Sequence, residues 1–525
     1  MAGWNFAAVW SRLARVVPDR EALICGDRVV RWADFDDRAA RLASWLSEQG
    51  ARPGATVAID MTNRPEYLET FFAALKLGCA PVNVNYRYLA DETRHVLADS
   101  RACALVHAPE FGDVAREAAA TTGGPAPVLL ETGEPYERAL AALSPTGAWS
   151  TREPDGDDLV VLYTGGTTGR PKGVMWRNDD LYQSLWKLAR PGKEPPDPVE
   201  AVRSGKRAGT ILPASPLMHG TALWGSLSAL AGAGTVVLID RVGLDAELVW
   251  DAVERNAVAL LSIVGDVFAR PLLAALDADP DRWDLTSLSA IMSSGVMWSP
   301  EVKAGLLRHL PGVTLVDSLG ASEGLMSTYA STAGQAIKPA RFAVNDRVKV
   351  LDEFTGRPVT PGTDEVGMIA VTGNIPVGYL NDPEKTAETF RVFDGVRYSV
   401  PGDYGSVDAD GTIRLLGRGS ACINTGGEKV YPEEVELVLR QHPGVGDCVV
   451  VGVADERFGE RVVALVQAEA GAQLAEADLD AWCRARLAGY KKPRRFVLVD
   501  TLRRSAAGKA DYRYLRDVAA RLAGS

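Results

Sequence analysis

Thr164-Gly165-Gly166-Thr167-Thr168-Gly169-Arg170-Pro171-Lys172-Gly173 is built almost wholly from glycine, threonine and cations. Glycines permit left-handed turns and close backbone approach, and successive N–H groups of such a loop form an anion-binding concavity. The threonine hydroxyls and Lys172 add donors and charge, so the run suits a loop wrapped around phosphates. It is preceded by Leu159-Val160-Val161-Leu162-Tyr163, which reads as a buried strand, so the loop hangs from a sheet. It is not a Walker P-loop, because Lys172 is followed by Gly173 instead of serine or threonine. The plain alternative is a Gly/Thr turn joining two strands.

Working outward, 525 residues with 46% hydrophobic content are enough for at least two domains with separate cores. A net charge of −11 argues against a nucleic-acid footprint, leaving room only for local basic patches. Cys25, Cys79, Cys103, Cys422, Cys448 and Cys483 are scattered without CxxC pairs, against a disulfide framework or zinc cluster and in keeping with a reducing cytoplasm. Met1-Ala2-Gly3-Trp4-Asn5-Phe6 lacks a basic start and apolar core, so no secretory signal is expected. Ile211 to Ile239 is free of Asp, Glu, Lys and Arg, but Pro213, Pro216 and several glycines make it a buried helix and strand, not a transmembrane segment.

Apolar runs at 57–60, 81–85, 104–107 and 159–162 alternate with helical stretches such as Glu66 to Leu77. The pattern resumes with strands at 235–239, 260–264, 290–292 and 313–316 and a helix at 246–255, giving an α/β fold with a large N-terminal body of packed sheets and helices. Arg190 to Pro198, rich in proline and charge, reads as an exposed excursion. After Gly417-Arg418-Gly419-Ser420 the pattern restarts with a helix at 432–441, a strand at 447–453 and a helix at 476–487, a smaller α+β domain. The expected division is 1–418 and 419–525, with a hinge at Ser420.

Further motifs follow in order: Gly320-Ala321-Ser322-Glu323-Gly324, Gly402-Asp403-Tyr404-Gly405, Gly417-Arg418-Gly419, Gly426-Gly427-Glu428-Lys429-Val430-Tyr431-Pro432 and Ser505-Ala506-Ala507-Gly508-Lys509. With the threonine loop they resemble the adenylate-forming (ANL) superfamily, which includes acyl-CoA synthetases, luciferases and peptide-synthetase adenylation domains. Val161 to Tyr163, Val174 to Arg177 and Gly373-Asn374-Ile375-Pro376-Val377-Gly378-Tyr379 are most similar to actinobacterial fatty-acid and steroid-side-chain CoA ligases.

The resemblance implies an ATP-dependent, AMP-forming ligase with Mg2+ as cofactor and ATP, CoA and a hydrophobic carboxylic acid as substrates, its small domain rotating between half-reactions. Bringing a carboxylate to an anionic α-phosphate needs compensating cations and N–H donors. On the resemblance, Glu323 holds Mg2+ with help from Thr164, and Lys509 is the catalytic lysine of adenylation. ATP or AMP contacts are expected at Thr164, Gly165, Gly166, Thr167, Thr168, Gly169, Lys172, Ser294, Gly295, Asp317, Ser318, Leu319, Gly320 and Ser322. Asp403 and Arg418 match the ribose-binding pair, with a structural ion pair as the alternative. Gly426, Gly427 and Lys429 are assigned to CoA, and His219, Trp224 and Gly265 to the acyl pocket. Association into a homodimer is compatible with the sequence.

Leu319 stands where the superfamily often has tyrosine, Ser322 where threonine is frequent, and Ser420 where an acidic hinge residue is common. The 211–239 segment has no carboxylate for a substrate ammonium, which favours a hydrophobic acid over an amino acid. Three rivals remain: transfer to a separate carrier protein, a degenerate nucleotide-binding homologue without catalysis, and a serine hydrolase. The last rests on Gly320 to Gly324 fitting G-x-S-x-G, with Ser322 as nucleophile and His442 the sole downstream histidine.

Overall fold

The computed structural model describes residues 3–164, 170–295, 298–337, 340–418, 423–425, 428–455, 459–487, 489–504 and 510–522, with the backbone alone at 418, 424, 428, 429, 459 and 513. Two compact units emerge: Met1–Ala340 with Gly373–Phe390, and Arg341–Thr372 with Arg391–Ser525.

The first unit holds two sheets. One runs Gly378–Tyr379, Lys172–Arg177, Leu159–Thr164, Ala80–Asn83, Thr56–Asp60, Ala102–His107, Val128–Glu131, the last five strands parallel and the first two antiparallel. The other runs Gly324–Ser331, Thr314–Ala321, Ala290–Ser294, Leu260–Ile263, Thr210–Pro213, Thr235–Leu238, Glu21–Cys25, Arg28–Arg31, with antiparallel strands only at its edges. Parallel strands covered by helices are buried on both faces, which is why they read as continuous apolar runs. Helix Pro65–Leu77 is buried on every side; Pro65 starts it, and Gly78, at φ 73°, ends it in the left-handed conformation that glycine adopts without a Cβ clash. The charge-free segment 211–239 forms strand Thr210–Pro213, helix Gly220–Ala231 and strand Thr235–Leu238. Among the described residues no helix is long and apolar enough to cross a membrane.

The strand expected at 313–316 extends over Thr314–Ala321 and returns as Gly324–Ser331. The buried Lys303 ammonium, 2.6 Å from Asp317 Oδ2, lets the strand continue past 316 with a carboxylate turned inward. The excursion near 190–198 is largely exposed; Asp197 caps the short helix Pro198–Arg203 and pairs with Arg12 at 2.6 Å.

The second unit contains an antiparallel sheet of Phe342–Ala343, Thr412–Arg418, Asp403–Val407, Gly367–Thr372 and Val396–Ser399, with Val348–Leu351 added to Gly367–Thr372. A second sheet runs Glu428–Val430, Ile423–Thr425, Gly459–Ala468, Val445–Asp455, and Arg495–Leu498 joins Gly459–Ala468 in parallel. Helices Pro432–Arg440 and Glu476–Arg484 fall where the sequence pattern puts helices, and they pack through Val435, Leu439, Leu479 and Cys483.

Candidate active site

Thr164 and Lys172 are the final cross-strand pair of the hairpin that carries the threonine loop, so the two ends of the loop stand side by side. Gly165, Gly166, Thr167, Thr168 and Gly169 lie outside the described residues. Around the loop's exit the side chains are tightly fixed. His95 Nε2 lies 2.9 Å from the Pro171 carbonyl, and the Tyr163 hydroxyl donates to Asp99 at 2.5 Å. Lys172 pairs with Asp382 at 2.6 Å, a bond that holds the Asp382 carboxyl below its ordinary range. Gly173 is required by packing: a Cβ there would lie 2.8 Å from the Tyr163 ring.

A second hairpin brings Glu323 to the same region. Its tip, between Ala321 and Gly324, is held at two points by the last two strands of the other sheet, Lys172–Arg177 and Gly378–Tyr379. Trp176 Nε1 donates to the Ser322 carbonyl at 2.9 Å, and the Tyr379 hydroxyl donates to Glu323 Oε1 at 2.6 Å, in the range of a charge-assisted O–H···O⁻ bond. Glu323 is half-buried, with its carboxylate oriented by a buried phenol.

Open α/β sheets bind ligands at the carboxyl ends of their parallel strands, and Ser294 stands at such an end. Ser294 is the register partner of Ser318. Gly265 N donates to Ser293 Oγ at 2.8 Å, which sets the start of helix Gly265–Ala278 beside the strand leading to Ser294 and Gly295. Gly295 takes φ 86°, and Leu319 is buried. The side chain of Asp317 is committed to Lys303; burial nevertheless raises its pKa.

His219 is the residue before helix Gly220–Ala231, and two asparagines pin the segment leading to it. Asn63 donates to the carbonyls of Pro213 and Ser215 and accepts from Leu217 N, while Asn83 donates to Met218 O and Tyr163 O and accepts from Tyr163 N. One side chain thereby sets His219 next to the strand that ends at Thr164. Trp224 is buried, one turn along the helix, and a Cβ on Gly220 would meet its indole nitrogen at 2.9 Å.

In the second unit, Asp403 and Arg418 are direct cross-strand partners. Lys429 lies on strand Glu428–Val430. Lys509, Ser420, Gly426 and Gly427, together with the side chains of Arg418 and Lys429, lie outside the described residues.

Ser322 is not a hydrolase nucleophile elbow. That motif needs a strand, a sharp turn and a helix, whereas here the turn is followed by the antiparallel strand Gly324–Ser331. His442 is engaged elsewhere, accepting from Gly444 N at 3.1 Å and lying edge-on to Trp482.

Sequence reasoning assigned no role to Tyr379, Asp382, Asn63, Asn83, His95, Asp99 or Lys303. Tyr379 stood inside a quoted motif; the others carried no local signal, because their partners lie far away in sequence.

The model of the AMP-binding enzyme family matches residues 10–380, and that of the AMP-binding enzyme C-terminal domain matches 434–509. The chain belongs to the AMP-binding enzyme family. It is 40% identical to the 3-oxocholest-4-en-26-oate–CoA ligase of Rhodococcus rhodochrous, over 98% of this chain and 95% of that protein. It is 41% identical to a medium/long-chain-fatty-acid–CoA/3-oxocholest-4-en-26-oate–CoA ligase of Mycobacterium tuberculosis, over 98% of this chain and 96% of that protein. In fold it matches the crystal structure of the anthranilate CoA ligase AuaEII in complex with anthranoyl-AMP, with a TM-score of 0.86 at 23% identity, covering 100% of this chain and 99% of that one.

Proposed function

We propose that this ATP-dependent, AMP-forming acid–CoA ligase activates a hydrophobic carboxylic acid, a medium- or long-chain fatty acid or a steroid side-chain acid. The observation that carries the reading is near-full-length similarity to ligases named for such acids, joined to a charge-free segment leading into the site. Leu223, Trp224, Leu227 and Leu230 of helix Gly220–Ala231 are buried, and an apolar acyl group would meet no uncompensated charge along that helix.

In the first half-reaction a carboxylate oxygen of the acid attacks the α-phosphorus of ATP, the bond to the β-phosphate oxygen breaks, and pyrophosphate leaves. In the second, the CoA thiolate attacks the acyl carbon, the bond to AMP breaks, and AMP departs. Thr164, with the loop that follows it, would receive the phosphates, and Ser294, Gly295, Ser318, Leu319 and Gly320 the nucleoside. Asp403 and Arg418 would hold the ribose hydroxyls. The Lys172–Asp382 bond supports a bracing role for Lys172 in place of phosphate contact.

The donors suit a magnesium ion carried by the triphosphate. Among the described residues no group of three His, Cys, Asp or Glu gathers to bind a metal, and Glu323 is a single oriented carboxylate. Mg2+ is bound in this way, by one or two carboxylates plus phosphates, and it would neutralise phosphate charge. Lys509 would act in adenylation and Gly426, Gly427 and Lys429 in thioester formation, the small domain of 419–525 turning near Ser420.

The test is pyrophosphate–ATP exchange and CoA-dependent AMP release with decanoate, palmitate, 3-oxocholest-4-en-26-oate and glycine. Turnover with the lipophilic acids and none with glycine supports the reading; preference for glycine refutes it. Thioester formation on a carrier protein but not on CoA would favour the carrier alternative.

A further inference from the structure

Residues 505–509 are flanked by Arg504 and Ala510, which face each other in an isolated antiparallel bridge. On the far side, helix Tyr512–Leu522 packs onto strand Val445–Asp455 through the fully buried Leu515 and Ala519. On the near side the anchor is electrostatic. Arg504 forks onto Asp447, with Nε 2.5 Å from Oδ2 and Nη2 2.9 Å from Oδ1, and Nη2 also donates to Cys448 O at 3.2 Å. Arg440 reaches the same carboxylate at 3.5 Å, pairs with Glu436 at 3.2 Å and shares the Cys448 carbonyl at 3.1 Å. Glu436 in turn accepts from Val450 N at 2.9 Å.

Arg440, Arg504, Glu436 and Asp447 thus form a largely buried cluster joining helix Pro432–Arg440, strand Val445–Asp455 and the chain just before residue 505. Burial pushes Glu436 upward; it opposes ionisation of Asp447 as well, but the Arg504 fork outweighs it and holds that carboxyl below its ordinary value. A cluster of this kind adds little net stability over an apolar replacement, and its best-attested use is to fix geometry. A bidentate fork fixes both direction and distance, which a lone ammonium does not.

We infer that Arg504 is a positioning residue for adenylation: by locking onto Asp447 it fixes the chain on the N-terminal side of Lys509. The inference rests on Lys509 acting in the first half-reaction. It explains why a buried ion cluster sits where the chain departs toward that lysine.

The test uses full-length enzyme and two readouts: pyrophosphate–ATP exchange with the best acid of the panel above, and thioester formation from the corresponding supplied acyl-AMP plus CoA. The variants are Lys509→Ala, Arg504→Lys, Arg504→Met and the paired Arg504→Met/Asp447→Leu, which removes both charges together so that no carboxylate is stranded. Expected are a loss of exchange of about tenfold or more in both Arg504→Met variants, partial retention in Arg504→Lys, and thioester formation within about twofold of wild type, since an orientation error of about an ångström costs on that scale. Equal losses in both readouts would reduce Arg504 to a structural role. Intact exchange in the folded paired variant, with Lys509→Ala impaired, overturns the positioning role alone. Intact exchange in Lys509→Ala overturns the assignment of the lysine and the inference with it.

Discussion

Replacing Lys303 by methionine removes the cation from a buried pair and leaves the Asp317 carboxylate of strand Thr314–Ala321 without it. The ammonium is 0% exposed, 2.6 Å from Asp317 Oδ2, and 5.5 Å above the Trp298 ring. Burial already raises the Asp317 pKa with the lysine present, so the carboxylate is poorly solvated and the lysine is its principal compensation. Breaking a buried pair on one side costs about 3–5 kcal/mol, whereas replacing both partners by apolar groups is often neutral. For a unit of roughly 350 residues, an unfolding entropy of about 2.1 cal/mol/K per residue converts that cost into a Tm loss of about 4–7 °C.

The pH dependence has a definite sign. A carboxyl whose folded pKa is raised stabilises least once it is ionised, so the Lys303→Met deficit should be greater at pH 8 than at pH 5.5, because falling pH favours the neutral form of a carboxyl that burial already pushes upward. Thermal melts of Lys303→Met, Asp317→Leu and the double variant at both pH values form the assay. The double variant should recover to within about 2 °C of wild type. A Lys303→Met loss under about 1 °C at pH 8, or a double variant as unstable as the single, would refute the reasoning.

Tyr379→Phe deletes the hydroxyl that orients Glu323 and should raise the Mg2+ concentration for half-maximal pyrophosphate exchange by about tenfold, with thioester formation from supplied acyl-AMP unaltered; an unchanged Mg2+ requirement would contradict it. Asp60 is buried with Oδ1 unpartnered, and burial, with a smaller contribution from Glu110, raises its pKa to about 7. An unfolded aspartate titrates near about 3.9, so Asp60 withdraws stability as pH climbs from there to about 7; Asp60→Asn should raise Tm at pH 8 by several times its effect at pH 4.5, and equal shifts at both would count against this. A fluorophosphonate should neither label Ser322 nor reduce CoA-dependent turnover of the wild-type enzyme; covalent labelling of Ser322 would revive the hydrolase.

The α/β class was legible because buried parallel strands such as Leu159–Thr164 and Leu260–Ile263 are unbroken apolar runs. The strand that leads into the Gly/Thr run was legible for the same reason, and it pairs with Lys172–Arg177 on the far side of the run. The long hairpin Thr314–Ser331 was not, since its inward Asp317 is made tolerable by Lys303, a partner on another element. The same holds for Tyr379 and Glu323, which stand 56 residues apart, and for Asn83, 80 residues from Tyr163 and 135 from Met218. Contacts across such separations leave no periodicity or spacing to read. The partner of Lys172 was equally hidden, since Asp382 lies 210 residues further along the chain.

Exchange of labelled pyrophosphate into ATP, driven by a lipophilic acid in the absence of CoA, bears most directly on the account. Exchange with decanoate, palmitate or 3-oxocholest-4-en-26-oate, dependent on Mg2+ and lost in Glu323→Gln, is the predicted result. Folded enzyme supplied with Mg2+ that shows no exchange with any of the three acids would contradict it.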